Sequence, residues 1–229
     1  MNRRTFAALS VLSLALPLVS SSSQAQQKPA APAAPALSAD EIVARVQEVY
    51  DKARTFNAGF KQHYRANAYD KTKDSTGAVF FEKPGKMSWR YTNNGNRVVS
   101  DGKLIKIYEK ENKQMYEQPL DKSQYPAALS FLTGQGKLKE SFNFSKQDSK
   151  QMKYESGYVL LGKPKQPTAS YDQVYFYIDA RTFLVRRVVI QDTQQNRNTF
   201  DFVGQKVNTK PPQGEFQFTP PPGTSVIRP

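Results

Sequence analysis

Little in this chain is equipped to make or break bonds. Histidine occurs once, at His63. A lone imidazole builds no multi-histidine metal site, and nothing around it nominates a triad. Cysteine is absent, which removes disulfides, thiolate nucleophiles, Cys-ligated zinc or iron–sulfur centres and thiol-linked lipid anchors. The sequence holds no Gly-rich phosphate loop, no G-x-S-x-G and no H-E-x-x-H. Gly134-Gln135-Gly136 reads as a helix terminator plus a turn. Carboxylates sit in turns or beside lysine, as in Asp101-Gly102, Asp121-Lys122 and Glu109-Lys110-Glu111. No pair stands out for glycoside hydrolysis. The expectation is a binding protein without catalytic residue, metal or cofactor.

What remains is apolar and aromatic chemistry at a fixed spacing. Met87, Trp89 and Tyr91 recur at period two, as do Val79 and Phe81 before them. Phe56, Ala58, Phe60 and Tyr64 alternate with polar residues, and Ile105 and Ile107 flank Lys106. A strand places every second side chain on one face. Aromatic residues make up 12% of the chain against 38% hydrophobic overall, so much of the buriable area is aromatic. Pro-Gly, Asn-Gly and Asp-Gly pairs punctuate residues 77–108, which is the signature of consecutive hairpins.

The elements that carry these faces can be placed in order. Residues 1–25 read as a secretory leader, with Arg3-Arg4, an apolar run from Phe6 to Val19 and the small-x-small site Ser23-Gln24-Ala25. The run is too short and interrupted to span a membrane. Residues 26–37 form a Pro/Ala linker. Ser38 and Glu41 match a capping box that opens an amphipathic helix ending near Arg54. A long strand follows from Thr55, then a polar loop at 70–77. Strands are expected near 77–83, 86–92, 96–100, 103–109 and 114–119. A short helix should run from Pro126 to Gly134. Further strands are expected near 137–146, 152–161, 171–179, 182–191 and 197–204, with one short strand and a last strand in the tail. The fold class is mainly β (α+β). It is an incomplete antiparallel barrel of ten or eleven strands, lidded by the N-terminal and mid-chain helices.

The formal charge is +13. Losing Arg3 and Arg4 with the leader takes it to +11. Such an excess is either a solvated surface or an attraction to an anionic partner. Export argues against nucleic acid.

Four stretches together resemble a known family. Glu82-Lys83-Pro84-Gly85-Lys86-Met87-Ser88-Trp89-Arg90-Tyr91 precedes Val98-Val99-Ser100-Asp101-Gly102-Lys103, and Phe216-Gln217-Phe218-Thr219-Pro220-Pro221 closes the chain. With Phe56-Asn57-Ala58-Gly59-Phe60-Lys61-Gln62, they resemble the periplasmic lipoprotein carrier family LolA, in order from about Ser38 to Ile227. The resemblance implies one carrier domain over 38–229 and a periplasmic location. It implies an apolar cavity under helical lids, in a monomeric chaperone for acylated lipoproteins. An inner-membrane ABC-type transporter would load it, and an outer-membrane acceptor, LolB-like or different, would unload it. It assigns lipid contact to Phe56, Phe60, Tyr64, Phe81, Met87, Trp89, Tyr91, Ile105, Ile107, Leu129, Phe131 and Leu132. Lys83 stands where the family carries a lid-closing Arg, and Lys lacks the planar fork. Lys83→Leu is therefore expected to weaken closure and slow release. Met87 replaces a family aromatic, and Lys106 a frequent Trp. Two other readings stay open: a carrier of another amphiphile such as a phospholipid or glycolipid, and an envelope-stress sensor with a LolA-like domain.

Overall fold

A computed structural model describes residues 37–123, 127–134 and 136–229. The leader and all but the last linker residue lie outside them, as do Pro126 and Gln135.

Helix α1 spans Ala39–Lys52. Its capping box forms as the sequence predicts: Glu41 N donates to Ser38 Oγ at 3.3 Å, and Ser38 N to the Glu41 carboxylate at 2.8 Å. Ile42, Val43, Val46 and Tyr50 make its buried stripe. No helix among the described residues is long and apolar enough to cross a membrane.

Twelve strands follow: β1 Thr55–Ala66, β2 Lys71–Glu82, β3 Lys86–Tyr91, β4 Arg97–Asp101, β5 Leu104–Glu109, β6 Gln114–Pro119, β7 Phe142–Gln147, β8 Gly157–Pro164, β9 Gln173–Asp179, β10 Val185–Gln191, β11 Arg197–Val207 and β12 Ser225–Ile227. They form one sheet in the order β12-β6-β5-β4-β3-β2-β1-β11-β10-β9-β8-β7. Every pairing is antiparallel except β12 on β6. Apart from that edge contact, the one non-local junction is β1 on β11, with Phe60 opposite Phe202. The sheet stays open, because β7 and β12 end it and do not pair with each other.

The sheet also curls. Trp89 on β3 and Phe200 on β11 are three strand spacings apart, about 14 Å in a flat sheet. Their ring centroids lie 5.3 Å apart. Gly77 leaves room on this face for the Phe60 ring and the close approach of β3. A Cβ there would fall 1.8 Å from the Arg90 carbonyl oxygen and 2.7 Å from the Phe60 ring. The ring occupies the space that any side chain at 77 would need.

Four expectations need correction. The polar run 70–77 is mostly strand: β2 begins at Lys71 and pairs with β1 out to Ala66. The mid-chain helix does form, as a 3₁₀ segment at Ala127–Thr133, and a single α-turn, α2, follows it at Leu138–Ser141. That turn takes the first residues assigned to a strand, so β7 starts at Phe142. Residues 216–218 form no strand. The described residues form twelve strands, against the ten or eleven expected.

Instead of pairing, the tail starts beside β1, where Asn208 and Thr209 bond to Thr55 and Asn57, and residues 215–218 lie on the outer face of β3–β5. Glu215, buried there, accepts from Ser88 Oγ at 2.6 Å and from Arg90 Nε at 2.8 Å and Nη2. Arg97 approaches it to 3.7 Å. Phe218 packs on Tyr108 and under the Arg97 guanidinium. Lys106 Nζ donates to the Phe218 carbonyl at 3.1 Å. This lysine thus faces outward, as its parity predicts, and fastens the tail.

Candidate functional site: an apolar face beneath a two-part cover

The inner face of the curled sheet is built from alternate residues of nearly every strand. One half carries Phe56, Ala58, Phe60, Val79, Phe81, Met87, Trp89, Val98 and Ile105, all buried. The other carries Phe200, Phe202, Val188, Phe176, Val174 and Leu160. Rings link the two halves. Phe56 meets Phe202 at 5.9 Å, and Trp89 meets Phe60, Phe81 and Phe200 edge-on. These tilted and T-shaped pairs are the geometry that aromatic quadrupoles favour.

Two elements cover the face. Helix α1 lays its stripe on it, and the Tyr50 hydroxyl accepts from Val185 N at 3.1 Å. Burial raises the Tyr50 phenol, against bonding from Val185 and the nearby Arg186 charge, so it stays neutral. The 3₁₀ segment contributes Leu129, Phe131 and Leu132, each buried. Phe131 sits edge-on to Tyr50 at 5.0 Å and reaches Phe176 at 6.0 Å. The two covers therefore touch each other and the sheet beneath.

Lys83 stands at their junction. Its Nζ donates to the Tyr50 carbonyl at 2.5 Å and lies 3.5 Å from that of Asp51. These carbonyls belong to the last turn of α1, where unpaired acceptors and the helix dipole favour a cation. The lysine stem runs against Gly134 at the end of the 3₁₀ segment. Gly134 has φ +74°, and a Cβ there would meet the stem at 2.8 Å. Gly85 N donates to the Thr133 carbonyl at 3.2 Å. The Lys83-Pro84-Gly85 turn thus grips both covers. Burial lowers the Lys83 ammonium from its ordinary value, and the Asp51 charge opposes that.

The twelve residues named from sequence divide by depth. Phe56, Phe60, Phe81, Met87, Trp89, Ile105, Leu129, Phe131 and Leu132 are buried on the inner face or its cover. Tyr64 is 37% exposed. It lines an open cleft of about 250 Å³ with the half-buried Tyr91 and Ile107, where the inner face emerges from its cover. Beneath α1 the face is packed, not hollow. A crevice between Val43, Val46, Leu138, Leu160, Phe176 and Val185 has no room for a water molecule.

Sequence reasoning passed over the aromatic residues of the second half, Phe142, Phe144, Phe176, Phe200 and Phe202. The signal was present: Phe200-Asp201-Phe202 alternates as Phe56 to Phe60 does. Only the β1–β11 junction shows that both runs share one face.

Comparison with known proteins agrees with this architecture. A crystal structure of an uncharacterized conserved protein from Thermus thermophilus superposes with a TM-score of 0.51 at 13% identity, covering 83% of this chain and 99% of that one. That likeness concerns the fold. In sequence, the outer-membrane lipoprotein carrier protein of Nitrosomonas europaea is 27% identical over 187 residues, 81% of this chain and 88% of its own. That of Pseudomonas fluorescens is 27% identical over 195 residues, 82% and 89% of the two chains. Residues 51–219 match the family described as outer membrane lipoprotein carrier protein LolA. With most of its length matched, the chain belongs to the LolA family.

Proposed function

We propose that this protein is a periplasmic lipoprotein carrier that shelters acyl chains on its inner face during passage from the inner to the outer membrane. The observation that carries the reading is the continuous apolar face, closed by two separately attached covers that meet at Lys83. The Lys83-Pro84-Gly85 turn ties the two covers together at one polar point, beside the apolar contacts that seat them on the sheet. A carrier needs a cover that opens.

The energetics suit transfer. Each methylene moved from water to the face contributes roughly 0.8 kcal/mol, so one long acyl chain gains on the order of 10 kcal/mol if wholly sheltered. Because the closed face is already packed, part of that gain goes into parting α1 and the 3₁₀ segment from the sheet. The remainder sets retention. Cargo can then pass downhill to an acceptor that shelters it better, with no nucleotide hydrolysis at the carrier. In this reading an inner-membrane ABC-type transporter loads the monomer, an outer-membrane acceptor unloads it, and the protein performs no chemistry of its own.

The test is to export the chain, purify it from the periplasm and identify what travels with it by mass spectrometry. Acylated polypeptide in near-stoichiometric amount is the expected finding. Phospholipid alone, or no bound amphiphile together with no uptake of added lipopeptide, contradicts the proposal.

A further inference from the structure

The open cleft beyond the covers is rich in hydrogen-bond donors. It is walled by Tyr64, Tyr91, Val98 and Ile107 from the inner face and by Lys73, Asn94 and Asn96 at the rim. The two asparagines sit in the β3–β4 turn with their orientations fixed by backbone donors. Asn96 N donates to Asn94 Oδ1 at 2.9 Å, and Lys110 N to Asn96 Oδ1 at 3.0 Å. Their oxygens are engaged, so each presents an amide NH₂. Lys73 forms no ion pair among the described residues. Glu109, the carboxylate on this wall, accepts from Asn112 at 2.8 Å.

A second observation comes from deeper in. Trp89 is fully buried, yet its indole Nε1 has no acceptor. A buried donor left unpaired is costly, and native structures rarely keep one without a use. Trp89 neighbours the cleft without lining it. Its cross-strand partner is Val98, and Phe60 touches both Trp89 and Tyr91, at 5.0 and 5.1 Å. An unpaired interior donor therefore neighbours the donors of the rim, with apolar and aromatic surface between them.

The structure assigns this cleft to the acyl-ester and amide carbonyls at the polar junction of the cargo, where fatty chains meet the glyceryl-cysteine head. Carbonyls of this kind only accept, so they complement the rim donors, Lys73 and the amides of Asn94 and Asn96. The assignment rests on the carrier reading and adds an orientation to it. Acyl chains run inward under α1, and the polypeptide leaves past the β3–β4 turn, at the end of the strands opposite Lys83.

Ester lipids of two kinds carry such carbonyls, so the test uses both. A dipalmitoylglyceryl-cysteinyl peptide and dipalmitoyl phosphatidylglycerol are each compared with a dialkyl ether twin, which keeps the chains and loses the ester carbonyls. Binding is measured by titration to the exported chain and to Asn94→Asp/Asn96→Asp. That double variant keeps the acceptors for the Asn96 and Lys110 backbone N–H groups while removing both amide donors. Its fold is checked by thermal melting. The ester lipopeptide is expected to bind about five- to tenfold tighter than its ether twin, and the ratio should fall toward one in the variant. Equal binding of the twins, or a ratio that survives the variant, overturns the assignment and leaves the carrier reading standing. An ester preference confined to the phospholipid pair overturns the lipoprotein head as occupant. Failure to bind any of the four defeats the carrier reading itself.

Discussion

Replacing Lys83 by methionine should loosen the cover without disturbing the sheet. Met keeps a stem to pack against Gly134 and removes the ammonium that donates to the last-turn carbonyls of α1. A hydrogen bond from a charged group contributes about 1.5–3 kcal/mol. Lys83 is only partly buried, and water reaches the freed carbonyls, so the lower end applies. Some 1.5 kcal/mol corresponds to roughly a tenfold rise in the open population. Hydrogen exchange reads this directly. Amides in the last turns of α1 should exchange about tenfold faster in Lys83→Met, while β1, β2 and β11 amides keep their protection. Two outcomes refute the reasoning. If α1 exchange is unchanged, Lys83 does not hold the cover. If all amides accelerate together, the cover and sheet open only as one unit, and the protein has no separate lid.

Other substitutions test the surrounding framework. Tyr50→Phe leaves the buried Val185 N–H without its acceptor and should cost about 1–3 kcal/mol, read by chemical denaturation. An unchanged midpoint would show that the contact contributes nothing. Glu215→Ala strips Arg97 and Ser88 of their buried carboxylate and should destabilise the protein by about 3 kcal/mol, with faster proteolysis between Asn208 and Thr224. Equal proteolysis would mean the tail is held without Glu215, by contacts such as Phe218, Lys106 and the Asn208 and Thr209 bonds to the start of β1. Asp179 offers a pH test. Burial pushes its carboxyl up, but bonds from the Thr182 amide and hydroxyl, the Arg181 amide and Arg186 outweigh that and hold it at about 2. A lowered carboxylate contributes stability above its ordinary value near 3.8 and loses it as the pH falls toward 2. Asp179→Asn should flatten stability across that window; a slope equal to that of the parent chain would remove Asp179 as its source.

Local chemistry made part of this fold legible. Ser38 and Glu41 announce the start of α1, and the Gly-containing turns mark hairpins that need only neighbours in sequence. The same logic failed where alternation vanished. The outer ends of β1 and β2 are largely exposed on both faces. No hydrophobic period distinguishes Lys71–Ser75 from a loop, and only pairing with Ala66–Gln62 makes it a strand. Phe216 and Phe218 mislead in the opposite direction. They alternate like a strand, but the chain there is fastened by side chains, through Glu215 and Lys106. The site divides in the same way. Trp89, Phe60 and Ile105 could be placed on the inner face by parity alone. That Lys83 would answer carbonyls of α1, or that Trp89 would lack an acceptor, depends on contacts made across the fold.

The central claim is that acyl chains occupy the inner face, and Trp89 reports on it. It is the one tryptophan of the chain and lies fully buried among Phe60, Phe81 and Phe200. Its fluorescence, measured on titration with a lipopeptide carrying brominated acyl chains, should be quenched saturably, in step with binding and more strongly than by the unbrominated twin. Lipopeptide that binds with equal effect on Trp89 from both twins would place the chains elsewhere and contradict the account.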